Sequence, residues 1–142
     1  MYEPIRSKSV HSTVAGSISD FPHRSRDEEL DIQLAGHLAA LLTATDELRA
    51  LAPSEELDTA ADRLAQQVAR LRGGHAPARV PVTAAPAASR PAALHRRAHT
   101  LASRALVVAA SRADTAVAIL TAERMDAHAA ALDPRELTTA SA

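Results

Sequence analysis

Cysteine is absent from this chain, so disulfides, thiolate nucleophiles and cysteine-ligated zinc are excluded. Tryptophan is absent too, and the only aromatics are Tyr2 and Phe21. Both precede the first periodic stretch, so a core has to be assembled from Leu, Val, Ile and Ala. The same scarcity removes the stacking platforms on which single-stranded nucleic-acid binders lay bases. Lys8 is the only lysine. Glycine is rare, and none of it forms a G-x-G-x-x-G or phosphate-cradling loop. No apolar run is long enough to cross a bilayer: the best stretch, Leu101 to Ala122, is interrupted by Arg104, Arg112 and Asp114. The first residues, MYEPIRSKSVHSTVAG, lack the apolar segment of a secretory leader. The expectation is a cytoplasmic protein with no membrane partner. Neither charge sign dominates, since the formal net charge is -1.

What the chain does have is alanine, about a quarter of all residues. Alanine is the strongest helix former, and leucine, arginine, glutamine and glutamate follow it. Its small side chain also lets helix backbones approach closely. An all-α fold follows from composition before any pattern is read. Alanine in bulk, with arginine in place of lysine, fits coding in a high-GC bacterium.

Periodicity divides the 142 residues into an arm, a helical domain and a tail. Residues 1–25 mix serine, histidine and isolated apolar residues without a period and read as a flexible N-terminal arm. A first helix is expected over about 26–52. Ser25 can cap it, Asp27, Glu28 and Glu29 suit its first turn, and Pro53 ends it. Its stripe is Leu30, Leu34, Leu38, Leu41 and Leu48, widened by Ile32, Leu42 and Leu51, with Thr45 in the gap. A second helix, 54–72, opens on Ser54 and stops at Gly73-Gly74. Its stripe alternates by four and three: Leu57, Ala61, Leu64, Val68, Leu71.

Residues 73–89 carry Pro77, Pro81 and Pro86, which forbid helix, so this run reads as an extended crossover linker between two helical pairs. Pro91 then sits at a helix's first position, where it is welcome. The stretch 91–132 continues the stripe as Leu94, Ala98, Leu101, Ala105 and Val108, stumbles at Arg112 and Thr115, and resumes with Ala116, Ile119 and Leu120. It is one continuous helix, a kinked one, or two broken near 112–115 with Asp114 as the new cap. No turn chemistry interrupts 109–118, which favours the continuous or kinked form. Residues 135–142 form a flexible tail. The sum is a single domain over 26–134: an up-and-down bundle of three or four helices with an Ala/Leu-rich, coiled-coil-like core. A continuous third helix would overhang its partners and expose an apolar stripe, and this predicts a homodimer.

Charge is segregated. Residues 27–62 are acidic apart from Arg49, whereas 79–112 carry Arg79, Arg90, Arg96, Arg97, Arg104 and Arg112 with no acid. The plain explanation pairs a basic helix with acidic neighbours. The functional one makes Arg90, Arg96, Arg97, Arg104 and Arg112 an interaction face for phosphate groups.

Candidate chemistry is sparse. His95 and His99 stand four apart, which is ligand spacing on a helix, but HRRAH lacks the glutamate of HExxH. A metal would need His37, His128, Glu123 or Asp126 as well. With seven histidines in the chain, the pair reads first as a pH-sensitive patch among arginines, whose charge opposes its protonation. His37 and His128 read as packed, hydrogen-bonded residues. Serines cluster outside the periodic helices, and no Glu-x-x-His motif of di-iron bundles occurs. No cofactor is implied and no catalysis is expected. The leading functional expectation is a non-catalytic protein acting by protein–protein interaction, regulatory or scaffolding, with a homodimer or a protein partner on its helix surfaces. Nucleic-acid association through the arginine face comes second. A small molecule or metal in the bundle core comes third.

Overall fold

The structure, a computed structural model, describes residues 25–79 and 90–132. The expected arm, most of the proline linker and the tail lie outside the described residues. Four helices occur among the described residues: α1 (Arg26–Leu51), α2 (Glu55–Leu71), α3 (Pro91–Arg112) and α4 (Thr115–Ala130). The fold is all-α, and the helices pack side by side in a ring ordered α2, α1, α3, α4.

Each helix starts where local chemistry tells it to. Ser25 forms a capping box with Glu28: its hydroxyl accepts from the Glu28 N–H at 3.1 Å, and its own N–H donates to the Glu28 carboxylate at 2.8 Å. Ser54 accepts from the Leu57 N–H and opens α2. Pro91 occupies the first turn of α3, where its missing N–H leaves nothing unsatisfied.

The stretch 91–132 is broken, against the expectation of a continuous or kinked helix. Ala113 turns left-handed at φ 59. Asp114 N–H then donates to the Ala109 carbonyl at 2.9 Å, and Ala113 N–H to Ala110 at 3.1 Å. Gly73 and Gly74 end α2 with the same double bond pattern, onto Ala69 and Arg70. This reverse-bonded stop satisfies the last carbonyls of a helix and favours glycine, because a Cβ crowds the left-handed backbone. Sequence reading found the stop at the glycines and missed it at the alanine. What tips the balance is tertiary: Asp114 caps α4 by accepting from the Val117 N–H, and Arg70 of α2 holds its other oxygen at 2.7 Å. The break also shortens the rod. α3 spans about 33 Å and α1 about 39 Å at 1.5 Å per residue, so nothing overhangs and that ground for a homodimer falls away.

Directions follow from cross-bundle contacts. Arg112, at the end of α3, bonds Asp31 near the start of α1 at 3.0 Å. Leu94, at the start of α3, packs with Leu48 and Leu57. Neighbours in the ring therefore run antiparallel. The chain runs up, down, down, up, so α2 ends and α3 begins at opposite ends of the bundle. Residues 73–79 run back along α1: Arg79 grips Asp46 with Nε at 3.1 Å and Nη2 at 2.8 Å. Asp46 lies about 20 Å along α1 from the level where α2 ends, which is what the extended residues from Gly73 to Arg79 can reach.

The core lies where the leucines of α1 and α2 meet the alanines of α3. Leu34, Leu38, Leu41, Leu42, Leu64 and Val68 are fully buried, with Thr45 among them donating to its own Leu41 carbonyl. On α3 the buried line is Ala98, Ala102, Ala105 and Ala109, and Leu101 and Val108 flank it half-buried. Of the expected stripe, Leu94, Ala98 and Ala105 are buried, while Leu101 and Val108 give way to Ala102 and Ala109 beside them. Alanine at the contact allows α3 to sit close to both α1 and α4, and the longer side chains fill the edges. On α4 the buried line is Val117, Leu120, Thr121, Arg124 and His128, whereas Ala116 and Ile119 face outward. Ile32 on α1 is also outward.

Candidate functional site

The most unusual chemistry sits at the end of the bundle where Pro53 joins α1 to α2. There the start of α2, the start of α3 and the end of α4 converge. Each contributes a polar side chain to one connected chain of groups. Arg124 of α4 is 4% exposed and His128, one turn further, is 1% exposed. Arg124 donates to the Glu56 carboxylate of α2 through Nη1 and to His128 Nε2 through Nη2 at 3.4 Å. His128 Nδ1 lies 2.9 Å from His95 Nδ1 of α3. The rings are tilted at 50° with centroids 5.2 Å apart. At the same end Leu48, Leu57 and Leu94 form a small apolar cluster with Leu51 packed against it.

Donor bookkeeping fixes the proton positions. Arg124 can only donate, so His128 Nε2 accepts and its proton is on Nδ1. His95 Nδ1 then accepts, and His95 carries its proton on Nε2. Both rings are neutral in this state. Burial, then the Arg124 charge, then the other histidines push the His128 imidazole down to about 3. Burial and Arg124 push His95 the same way, with Glu56 opposing. Arg124 Nε is buried and has no hydrogen-bond partner among the described residues.

The candidate pair His95 and His99 is arranged differently. His95 is turned to His128, not grouped with His99, and no cluster of three or more metal-ligating side chains occurs among the described residues. Glu123, another candidate ligand, pairs with Arg63 of α2 at 3.1 Å. His128 is packed and hydrogen-bonded, as read. The arginines that oppose protonation of His95 were placed on its own helix in the sequence reading; the one that acts is Arg124, from α4. Sequence reading missed Arg124 as a buried residue. The signal was the spacing Val117, Thr121, Arg124, His128, a four–three–four helical stripe whose polar members disguised it.

The arginine face is divided by the fold. Arg112 is taken by Asp31 at 3.0 Å and approaches Asp27 at 3.8 Å, and Arg79 is taken by Asp46. These are the pairings between basic and acidic segments that charge segregation suggested. Burial works to raise the Asp46 carboxyl, and the hydrogen bonds from Arg79 and Arg49 outweigh it and lower it. Arg90, Arg97 and Arg104 are exposed and Arg96 half-exposed, and none of the four forms an ion pair among the described residues.

At the opposite end of the bundle, the turn between α3 and α4 opens an apolar groove of about 390 Å³. Ala109, Ala110, Ala113, Ala118, Ile119 and Ala122 line it. Ile119 on its rim is 53% exposed, and Val107, one turn before Ala110, is 65% exposed. Large apolar side chains left in water on neighbouring helices mark a contact surface better than a catalytic one. No helix among the described residues is long and apolar enough to cross a membrane.

The fold and these surfaces define a small antiparallel four-helix bundle with a buried polar cluster at one end and an apolar groove at the other. No family model, curated protein or solved structure matches the chain.

Proposed function

We propose that this chain is a non-catalytic interaction module, of the regulatory or scaffolding kind, that pairs with a second copy of itself through the outer side of the α3–α4 hairpin. The observation that carries this reading is the alanine-lined groove with Ile119 on its rim and Val107 beside it. Alanines on two adjacent helices leave room for the ridge of a third helix. Exposed charges elsewhere on the hairpin support a copy as occupant. Exposed Arg97 and Arg104 lie on α3 and exposed Asp126 on α4, so a two-fold pairing that sets α3 against the other copy's α4 brings opposite charges together.

Light scattering on a sizing column tests it. The wild type is expected at twice the monomer mass at micromolar concentration. Ile119→Glu places two carboxylates in the contact and is expected to weaken pairing by about a hundredfold. A wild type that runs as a monomer overturns the reading.

The acid-free α3 and the four arginines on and before it that form no ion pair among the described residues favour nucleic acid as a second reading. Duplex DNA binding that weakens steeply with salt, and is lost in Arg97→Glu with Arg104→Glu, would support it. Absence of a shift at low salt would end it.

A further inference from the structure

We propose that the Pro53 end of the bundle is a proton-operated latch: a proton taken up by the His95–His128 pair releases the C-terminal half of α4 from α2 and α3. The argument rests on hydrogen-bond directions. Arg124 donates to His128 Nε2, His128 Nδ1 donates to His95 Nδ1, and the inward nitrogens hold no spare lone pair. A third proton has no place in this chain. On His128 Nε2 it faces the Arg124 N–H. On His95 Nδ1 it faces the His128 N–H, and moving that proton to Nε2 transfers the clash to Arg124. Every protonated arrangement sets two donors against each other at a site where Arg124 and His128 are buried.

Charge adds to the mismatch. The groups acting on the two rings are Glu56 from α2, His95 and His99 from α3, and Arg124 from α4. α1 brings Leu48 and Leu51 to this end and none of those charged groups. Glu56 is the sole carboxylate among them and is already spent on Arg124. A second buried cation would stand uncompensated, and separation is cheaper than confinement. Separation falls at α4 because α2 and α4 form the sparsest side of the ring. The Arg124–Glu56 and Arg63–Glu123 pairs bridge them there.

The latch stays closed while both imidazoles are neutral. The open state restores their ordinary affinity for protons, so its population grows as pH falls below the usual imidazole range. Hydrogen exchange on the full chain, corrected for the intrinsic pH dependence of amide exchange, reads this directly. Between pH 7.5 and 5.0 the opening of residues 122–130 is expected to rise about thirtyfold, while amides near the Ala113 turn keep their protection. His128→Gln should remove the rise. His95→Gln should shrink it, because an amide can turn to present either a donor or an acceptor. Equal loss of protection in all four helices overturns the latch, and so does protection independent of pH. If His128→Gln does not fold, an undiminished rise in His95→Gln overturns it as well.

Discussion

Ala113 holds the left-handed backbone that Gly73 holds at the end of α2, with the same pair of reverse hydrogen bonds. One chain therefore contains both versions of a single stop, with and without a Cβ. A left-handed L-residue costs about 1–2 kcal/mol, and part of this is offset by the extra freedom glycine has when unfolded. Ala113→Gly is expected to stabilise the fold by about 0.5–1 kcal/mol, and Gly73→Ala to destabilise it by about 1 kcal/mol. Urea unfolding followed by circular dichroism checks both, and the opposite signs are the informative result. Space is not the issue at Gly73, since an added Cβ would meet nothing within 4 Å. Asp114 next door works twice, as cap of α4 and as partner of Arg70.

Helices α1 and α3 show how much of a helix is set by its own sequence and how much by its neighbour. Gly36 lies on the outer face of α1 with open space where a Cβ would go. Helix propensity is the only force acting there, so Gly36→Ala is expected to raise stability by about 1 kcal/mol. At Ala102, fully buried between α1 and α4, propensity counts for little. Ala102→Leu keeps a good helix former and should still cost about 1–3 kcal/mol, because the added atoms push apart helices that meet through alanine. Thermal melts of the two variants should move in opposite directions. Helices, caps and the Pro53 join were legible because they depend on residues within a turn of one another. The buried face of α3 was legible at Leu94, Ala98 and Ala105 and misread at two positions. Counting larger side chains pulled the reading toward Leu101 and Val108, whereas close packing chose the line of alanines beside them.

At the scale of the whole molecule, the two buried imidazoles make folding depend on pH. The His128 imidazole titrates near 3 in the fold against 6.5 free, and His95 is lowered in the same direction. Lowered folded values mean that the unfolded chain holds more protons below pH 6.5. Stability from His128 is complete above that value and drains away as pH falls, by about 1.4 kcal/mol per pH unit until the folded value is reached. Urea unfolding at pH 7.5 and 5.0 is expected to show at least this loss, and His128→Gln is expected to flatten it. A wild type equally stable at both values would contradict the buried, neutral pair.

The sequence by itself determined the fold class, the starts of α1, α2 and α3 and the glycine stop, because each depends on propensity, capping or proline within a few residues. It also announced the charge segregation that Arg112 and Asp31 turn into contact. Only the tertiary structure decided that Ala113 breaks the long apolar stretch, that Arg124 is buried, and that His95 pairs with His128 and not with His99. Each of these depends on a partner distant in sequence: Arg70 on Asp114, Glu56 on Arg124, and one helix's ring on another's. Periodicity reports which face of a helix is apolar, but which polar side chains are carried inside is fixed by what meets them there.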